Sequence, residues 1–357
     1  MEGNVKANVG SSLPEETHAL PDGWEIIDSL AEEARIEGVS IALAGYAATH
    51  SASQQVATGS AASCYQKPER IAYFELLERI AILEAIGQPA ETSWNCLDLS
   101  TQKVVSKLTS AEIFPPMTVS DSYQISKSNG VAIGSSFEQA ALHALSESVE
   151  RHLVLLSWYG AVKPERVSFD WPEELHALSA HYRLEQYSLG SVNLFQAQRR
   201  FTATVCVLWP LEDRATKNGS ERRPVIHGFG AAASTAEACA KSFREAIQRL
   251  GFISGEDPVT DEPAFQARPD YHQDYFLHPE RRPLLKSWLS GAFFRPHYQN
   301  RLPPLGVCRL IDITPSSYRS LWVVKATVPG ILPLVFGRYR HPLFPELPDE
   351  RLIHPIV

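Results

Sequence analysis

Three segments of the chain repeat one spacing of acids: Glu75-x-x-Glu78-Arg79, Glu147-x-x-Glu150-Arg151 and Glu245-x-x-Gln248-Arg249. On a helix, residues three and four apart share a face, so each segment presents acid, acid or amide, and arginine as one stripe. A single copy is unremarkable, since Glu followed four residues later by Arg is an ordinary surface pair worth about 0.2–0.5 kcal/mol. Three copies set among apolar residues are harder to explain that way. Five carboxylates brought to one place repel each other, with raised pKa values, unless cations lie between them. Hard oxygen ligands suit Mg²⁺, which is usually held by a few carboxylates together with substrate phosphates. Arginines and turn amides suit the phosphate oxygens. The chemistry these residue types point to is a Mg-nucleotide site built without a P-loop.

The elements that must position them also repeat. Laying Gly228 on Gly130 aligns HGFGAAASTAEACAKSFREAIQRL with NGVAIGSSFEQAALHALSESVERH without a gap. Both stretches open on a small-residue turn, pass a Ser-x-x-Glu cap (Ser135/Glu138 and Ser234/Glu237), and continue as a helix. The upstream version, GSAASCYQKPERIAYFELLERIAIL, carries Pro68 where a first helical turn accepts it. The spacing predicts an α/β (α+β) protein with repeated strand, Gly-turn and Glu-rich helix units around the site. His143 lies one turn before Glu147, a place where a lone histidine is more often a packing residue than a ligand.

At these residues the chain resembles the YcaO superfamily, over most of its length from about Gly59 onward. The resemblance is carried by Ser126-x-x-Asn129-Gly130 leading to Glu147-x-x-Glu150-Arg151, by Glu75-x-x-Glu78-Arg79, and by Gly228-Phe229-Gly230 leading to Glu245-x-x-Gln248. Asp312-Ile313-Thr314 and the strand-like Val323–Gly330 support it. It implies ATP with Mg²⁺ clamped by Glu75, Glu78, Glu147, Glu150 and Glu245. Arg79, Arg151, Lys241, Gln248 and Arg249 would serve phosphate contact or orientation, and Ser126 and Asn129 the nucleotide. The activity implied is ATP-dependent activation of backbone amides in a ribosomally made precursor peptide, most directly cyclodehydration of Cys, Ser or Thr to azolines. A thioamide-forming enzyme, an accessory protein of ribosomal-protein modification and a non-catalytic nucleotide-binding scaffold are the alternatives. Family members often carry Arg where this chain has Lys241, and Asp where it has His152. Lys is a point donor rather than a fork, so phosphate geometry would change while every acid remains.

With 357 residues, 44% of them hydrophobic, the chain can bury a large core. We expect a mobile N-terminal segment and short helix over 1–50, the ATP-binding domain over 51–340, and a proline-rich tail over 341–357. Ile26–Ile36 reads as an amphipathic helix, Gly45–Ser63 as a loop, Trp171–Leu184 as a helix, and Asp213–Pro224 as a charged loop. Strands are expected between Asn95 and Thr118, and at Tyr187–Phe195, Phe201–Trp209, Cys308–Ile313 and Leu321–Val328. The stretch 258–304 reads as a packed irregular region or a contact surface. In YcaO cyclodehydratases a proline-rich C-terminus is implicated in proton transfer, which makes His354 and the carboxylate of Val357 candidate bases in a stiff, extended tail.

Net charge is −8, from 33 basic and 41 acidic residues, without a long basic run, which argues against bulk nucleic-acid binding. Five scattered cysteines without Cys-x-x-Cys argue for reduced thiols and a cytoplasmic protein. The longest early apolar run, Val39–Ala48, is too short for a membrane span. Gly228-x-Gly230-x-x-Ala233 matches a dinucleotide fingerprint, but the acid that should end the next strand is absent, Glu245 being on the same helix. The chain shows no spare length for a leader-binding domain. A leader-recognising partner protein and a flavin-dependent azoline oxidase are therefore expected, and a homodimer is left open.

Overall fold

A computed structural model of the chain describes residues 20–114, 121–194, 199–211, 223–254, 261–318 and 320–357. Strands β1 (Trp24–Ile36), β2 (Val39–His50) and β3 (Val56–Ser63) lead into helix α1 (Glu69–Ile86). Then come β4 (Ser93–Leu97), β5 (Val104–Thr109), the single turn α2 (Ser110–Ile113), β6 (Tyr123–Ile125), β7 (Val131–Gly134) and α3 (Phe137–Tyr159). Strands β8 (Glu165–Val167), β9 (Tyr182–Leu194), β10 (Arg199–Pro210) and β11 (Ile226–Ala232) precede α4 (Thr235–Ile253). The chain closes with α5 (Pro269–Leu277), α6 (Arg282–Leu289), β12 (Arg309–Asp312), β13 (Trp322–Thr327) and β14 (Val335–Gly337). The sheets run β1-β2-β3, β5-β4-β12-β13-β7, β11-β10-β9-β8 and β14-β6, each pairing antiparallel.

Each glutamate helix follows a strand and packs back on it: α1 on β3, α3 on β7 and β13, α4 on β11 and β10. Glycines set the closeness of that packing. A Cβ at Gly59 would lie 2.2 Å from the Leu76 nitrogen, at Gly228 2.3 Å from the Ala246 nitrogen, and at Gly130 2.2 Å from Ser148 Oγ. Leu76, Ser148 and Ala246 are the residues directly after Glu75, Glu147 and Glu245. One glycine contact therefore sits beside the first acid of every unit. The amide after each glycine completes the pattern. Ser60 N–H donates to Glu75 Oε2 at 3.1 Å, and the Val131 and Phe229 amides bond Glu147 and Glu245.

Several expectations are corrected. Trp24–Ile36 is a 13-residue strand, not a helix. Its helix-like spacing is overridden by residue-for-residue pairing with β2, and a bulge between Ile26 and Asp28 shifts the alternation. Gly45–Ser63 is mostly strand, the end of β2 and all of β3, and its small residues Ala57, Gly59 and Ala61 face inward where α1 lies close. Over Trp171–Leu184 the chain makes only a 3₁₀ segment, Glu173–Ala180, before β9 begins. The α3 cap is Ser136, one residue later than expected, its Oγ accepting from Gln139 N–H.

From 261 to 304 the chain is packed: Tyr271, Tyr275, Phe276, Leu285, Trp288 and Tyr298 are buried in the core that surrounds α3. The end is no extended tail. Phe344, Leu347, Leu352, Ile353 and Ile356 join that same core, and Asp349–Arg351 form a 3₁₀ turn. Pro115, Pro116 and Thr118, Phe195, residues 213–222 and the N-terminal segment before residue 20 lie outside the described residues. All five cysteines are free, and no described helix is long and apolar enough to cross a membrane.

The glycine contacts give a test. Gly228→Ala forces a methyl against backbone and should lower unfolding free energy by about 1–3 kcal/mol in urea titrations. Gly45→Ala, whose Cβ would find no neighbour nearer than 3.8 Å, should be near neutral. Equal effects would rule out the close strand–helix approach as the constraint.

Candidate nucleotide and metal site

The acids of all three helices lie within electrostatic reach of one another. Glu75 and Glu78 on α1, Glu147 and Glu150 on α3, and Glu245 on α4 are each half-buried, flanked along their helices by fully buried residues. Their electrostatics show that they are neighbours. Burial pushes Glu78 up to about 8, from an ordinary 4.5, and the charge of Glu147 adds to the rise. Burial likewise raises Glu147. Glu150 is raised by burial and then by Glu245. Glu245 is raised by burial, against the lowering pull of the Phe229 amide, Arg249 and Arg151. Ile133 N–H donates to Glu78 Oε2 at 3.1 Å, so β7 grips the second acid of α1.

Cations interleave with these acids. Arg151 Nη1 meets Glu147 Oε1 at 2.5 Å and donates to Asn129 Oδ1 at 3.3 Å. Arg79 Nη2 lies 3.4 Å from Glu75 Oε1. Lys241 Nζ donates to the Ala231 carbonyl at 3.0 Å and acts electrostatically on Glu150. Gln248 is half-buried on the same helix, and Ser126 and Asn129 are half-buried in the turn before β7. Ser126 Oγ and Ser128 Oγ are 3.2 Å apart. His143 is exposed on α3.

Lys325, on β13, lies beside these residues, and the motifs did not reveal it. Its Nζ donates to the Asn129 carbonyl at 2.9 Å and the Lys127 carbonyl at 3.2 Å, tying the turn that carries Ser126 and Asn129. Burial lowers it to about 8, with Glu147 pulling the other way. The signal was present: a lone lysine in an apolar strand, Val323-Val324-Lys325-Ala326, has to find partners.

Three candidates sit differently from the rest. Arg249 is buried, with Nη1 2.8 Å from His227 Nε2, and that nitrogen is also 2.8 Å from the Pro355 carbonyl. His227 occupies in its unit the position of Asn129 in the other, so the arginine contact repeats, but here it faces the C-terminal segment. His354 is fully buried and bonds the Val335 carbonyl through Nε2 at 2.9 Å. Burial pushes it down to about 4, and the charge of Arg151 also lowers it. Val357 is partly exposed. His152 is buried; its Nδ1 accepts Leu332 N–H at 3.1 Å, and burial pushes it down to about 4.

The donor set is hard oxygen alone, which fits Mg²⁺. Among the described residues no three His, Cys, Asp or Glu side chains close on one point. Mg²⁺ takes hard oxygens of this kind, commonly one or two carboxylates with phosphate oxygens and water supplying the rest.

Comparison with known proteins follows the same lines. The family model described as YcaO cyclodehydratase, ATP- and Mg²⁺-binding, matches residues 67–332. The chain belongs to the YcaO cyclodehydratase family. A YcaO protein from Methanopyrus kandleri bound with AMPPCP and Mg²⁺ superposes with a TM-score of 0.54 at 18% identity, covering 86% of each chain. The E. coli microcin synthetase McbBCD complex with pro-MccB17 bound gives 0.52 at 14%, over 84% of this chain and 87% of that one. A heterocyclase in complex with substrate and cofactor gives 0.50 at 18%, over 86% of this chain; the match spans half of that protein. At these identities the likeness is one of fold, the YcaO fold. A comparison with curated protein sequences returns no match.

The raised carboxyls make stability depend on pH. Between the ordinary 4.5 and about 8 the folded chain holds protons that the unfolded chain releases, so stability falls as pH rises. Buried His152 and His227, lowered from 6.5, act oppositely but only below that value, and Lys325 acts only above about 8. Without divalent metal, the melting temperature should therefore fall between about pH 6.5 and 8, and Mg-ATP should flatten the fall. A flat metal-free profile across that window would contradict the raised values.

Proposed function

We propose that this YcaO protein uses ATP and Mg²⁺ to activate backbone amides in a ribosomally synthesised precursor peptide, closing azolines by cyclodehydration. The observation that carries this reading is the cluster of raised carboxyls, drawn from three helices and interleaved with arginine and lysine. Such a cluster is unfavourable alone and becomes favourable around Mg²⁺ and polyphosphate.

The substrate's Cys, Ser or Thr side chain attacks the preceding carbonyl carbon, and its proton is lost. The former carbonyl oxygen takes the γ-phosphoryl group of ATP and ADP departs. Loss of the amide proton with C–O cleavage releases phosphate and leaves the C=N bond of the ring. Peptide loses the elements of water, and ATP gains them as ADP and phosphate. Bound Mg²⁺ would neutralise the phosphates. The chain's residues would do the positioning that dominates phosphoryl transfer. Glu75, Glu78, Glu147, Glu150 and Glu245 would hold metal and order its water. Arg79, Arg151, Lys241 and Gln248 would meet phosphate oxygens, and Arg249 would act from behind Glu245. Ser126 and Asn129 would face the nucleotide on the turn that Lys325 ties. His354, uncharged at neutral pH, and the Val357 carboxylate are the candidate proton acceptors. A leader-recognising partner protein would deliver the peptide, and a flavin-dependent oxidase would convert azoline to azole.

ADP release should be stimulated by the cognate peptide and its partner protein, with one water's mass lost per ring by mass spectrometry. Glu147→Gln should abolish ADP release, by at least about 100-fold, with circular dichroism unchanged. Wild-type ADP release by that variant would remove Glu147, and the carboxyl cluster with it, from the chemistry.

A further inference from the structure

Two buried histidines hold the C-terminal segment, one on each side, and they differ. His272 Nε2 accepts Gly337 N–H at 2.8 Å, so in the neutral ring the proton is on Nδ1, which donates to the His354 carbonyl at 2.8 Å. One tautomer satisfies both ring nitrogens.

His227 has no such solution. Its Nε2 lies 2.8 Å from the Pro355 carbonyl and 2.8 Å from Arg249 Nη1, and no tautomer serves both. With the proton on Nε2 the ring donates to Pro355, and the arginine N–H meets another N–H. With the proton on Nδ1 the ring accepts from Arg249, and the carbonyl meets a lone pair. His227 Nδ1, Arg249 Nε and Arg249 Nη2 are also buried and have no hydrogen-bond partner among the described residues. His227, Arg249 and Pro355 are all buried, where an orphaned polar group costs about 1–3 kcal/mol. Each arrangement leaves something unpaired, so the contact has two exclusive states that an outside charge can bias.

That charge has a route in. Arg249 lies one turn after Glu245 on α4 and feels its carboxylate. β11 serves both residues: the Phe229 amide bonds Glu245, and His227, two residues earlier, meets Arg249.

We propose that His227 is a positioning residue that couples nucleotide occupancy to the C-terminal segment. Bound polyphosphate, negative even with Mg²⁺, draws Arg249 off the ring. The ring's single proton then sits on Nε2 and donates to the Pro355 carbonyl, with no proton gained or lost. Residues 352–357, which include the candidate proton acceptors His354 and Val357, are thereby held from both sides only when nucleotide is present. By linkage the held segment favours nucleotide by the same factor. This coupling rests on the Mg-ATP reading above and adds a connection from that site to the chain's end.

The test is amide hydrogen exchange of residues 352–357, read by mass spectrometry on the full chain with and without Mg²⁺ and a non-hydrolysable ATP analogue. Binding of the analogue is measured on the same samples. In the wild type the analogue should slow exchange at least about fivefold, the scale of one buried hydrogen bond gained. In His227→Gln the carboxamide oxygen can accept from Arg249 while its nitrogen donates to Pro355. Exchange there should be slow throughout, within about twofold with or without the analogue. His227→Phe keeps a ring against Phe229 and Phe276 but neither hydrogen bond, so exchange should be fast in both conditions. Both variants should bind the analogue within about tenfold of wild type, the reach of a coupling of this size. Fast exchange in His227→Gln would make His227 merely structural and overturn the proposal. So would slowing by the analogue that survives in either variant, or none in analogue-bound wild type. The glutamine variant decides the matter even if His227→Phe does not fold. Failure of the Mg-ATP reading shows separately, as no analogue binding by the wild type, and takes the coupling with it.

Discussion

The structure depends on like charge held where water is scarce. Five carboxylates on three helices lie close together, and burial raises those of Glu78, Glu147, Glu150 and Glu245, with neighbouring acids adding to the rise at Glu78, Glu150 and Glu245. A core of this size could cover the same helices with leucine at lower cost. The acids make physical sense as a site completed by cations, with Arg79, Arg151, Lys241, Lys325 and Arg249 offsetting their charge from within the chain.

The surrounding architecture holds each helix tight against its strand. Glycine contacts at Gly59, Gly130 and Gly228 let each helix approach its strand to backbone distance, beside the first acid of each unit. The amide that follows each glycine then bonds that acid, which fixes the carboxylate before any metal arrives. Strand β13 adds a cross-tie through Lys325 to the Asn129 turn. The C-terminal segment packs against the same core, its Pro355 carbonyl at His227 beside Arg249. Residues from both ends of the chain thus converge on a site laid out by local strand–helix units.

Much of this was legible in the sequence, for local reasons. The acid spacing and the glycine before it act within each unit, and a serine cap within two of them, α1 starting after Pro68 without one. What was hidden depends on contacts far along the chain. Trp24–Ile36 has helix-forming residues at helical spacing, and only its partner Val39–His50 makes it a strand. Ala57, Gly59 and Ala61 read as loop because their smallness answers to α1, which has not yet been reached in the sequence. Lys325 looks like an ordinary strand residue until β13 is placed beside the Asn129 turn. The final residues read as a stiff free tail because proline content says nothing of Phe344, Leu347 and Ile356 finding a core.

The most direct test of the account is calorimetric titration of Mg-ATP into the metal-free protein at about pH 7, repeated in buffers of different ionisation enthalpy. If the clustered carboxyls are protonated when empty and ionised around the metal, binding must expel protons. The observed enthalpy should then change with the buffer in proportion to its own. Binding with no buffer dependence would mean the carboxylates are already charged without metal, contradicting the central claim that Mg²⁺ and phosphate are what the buried acids await.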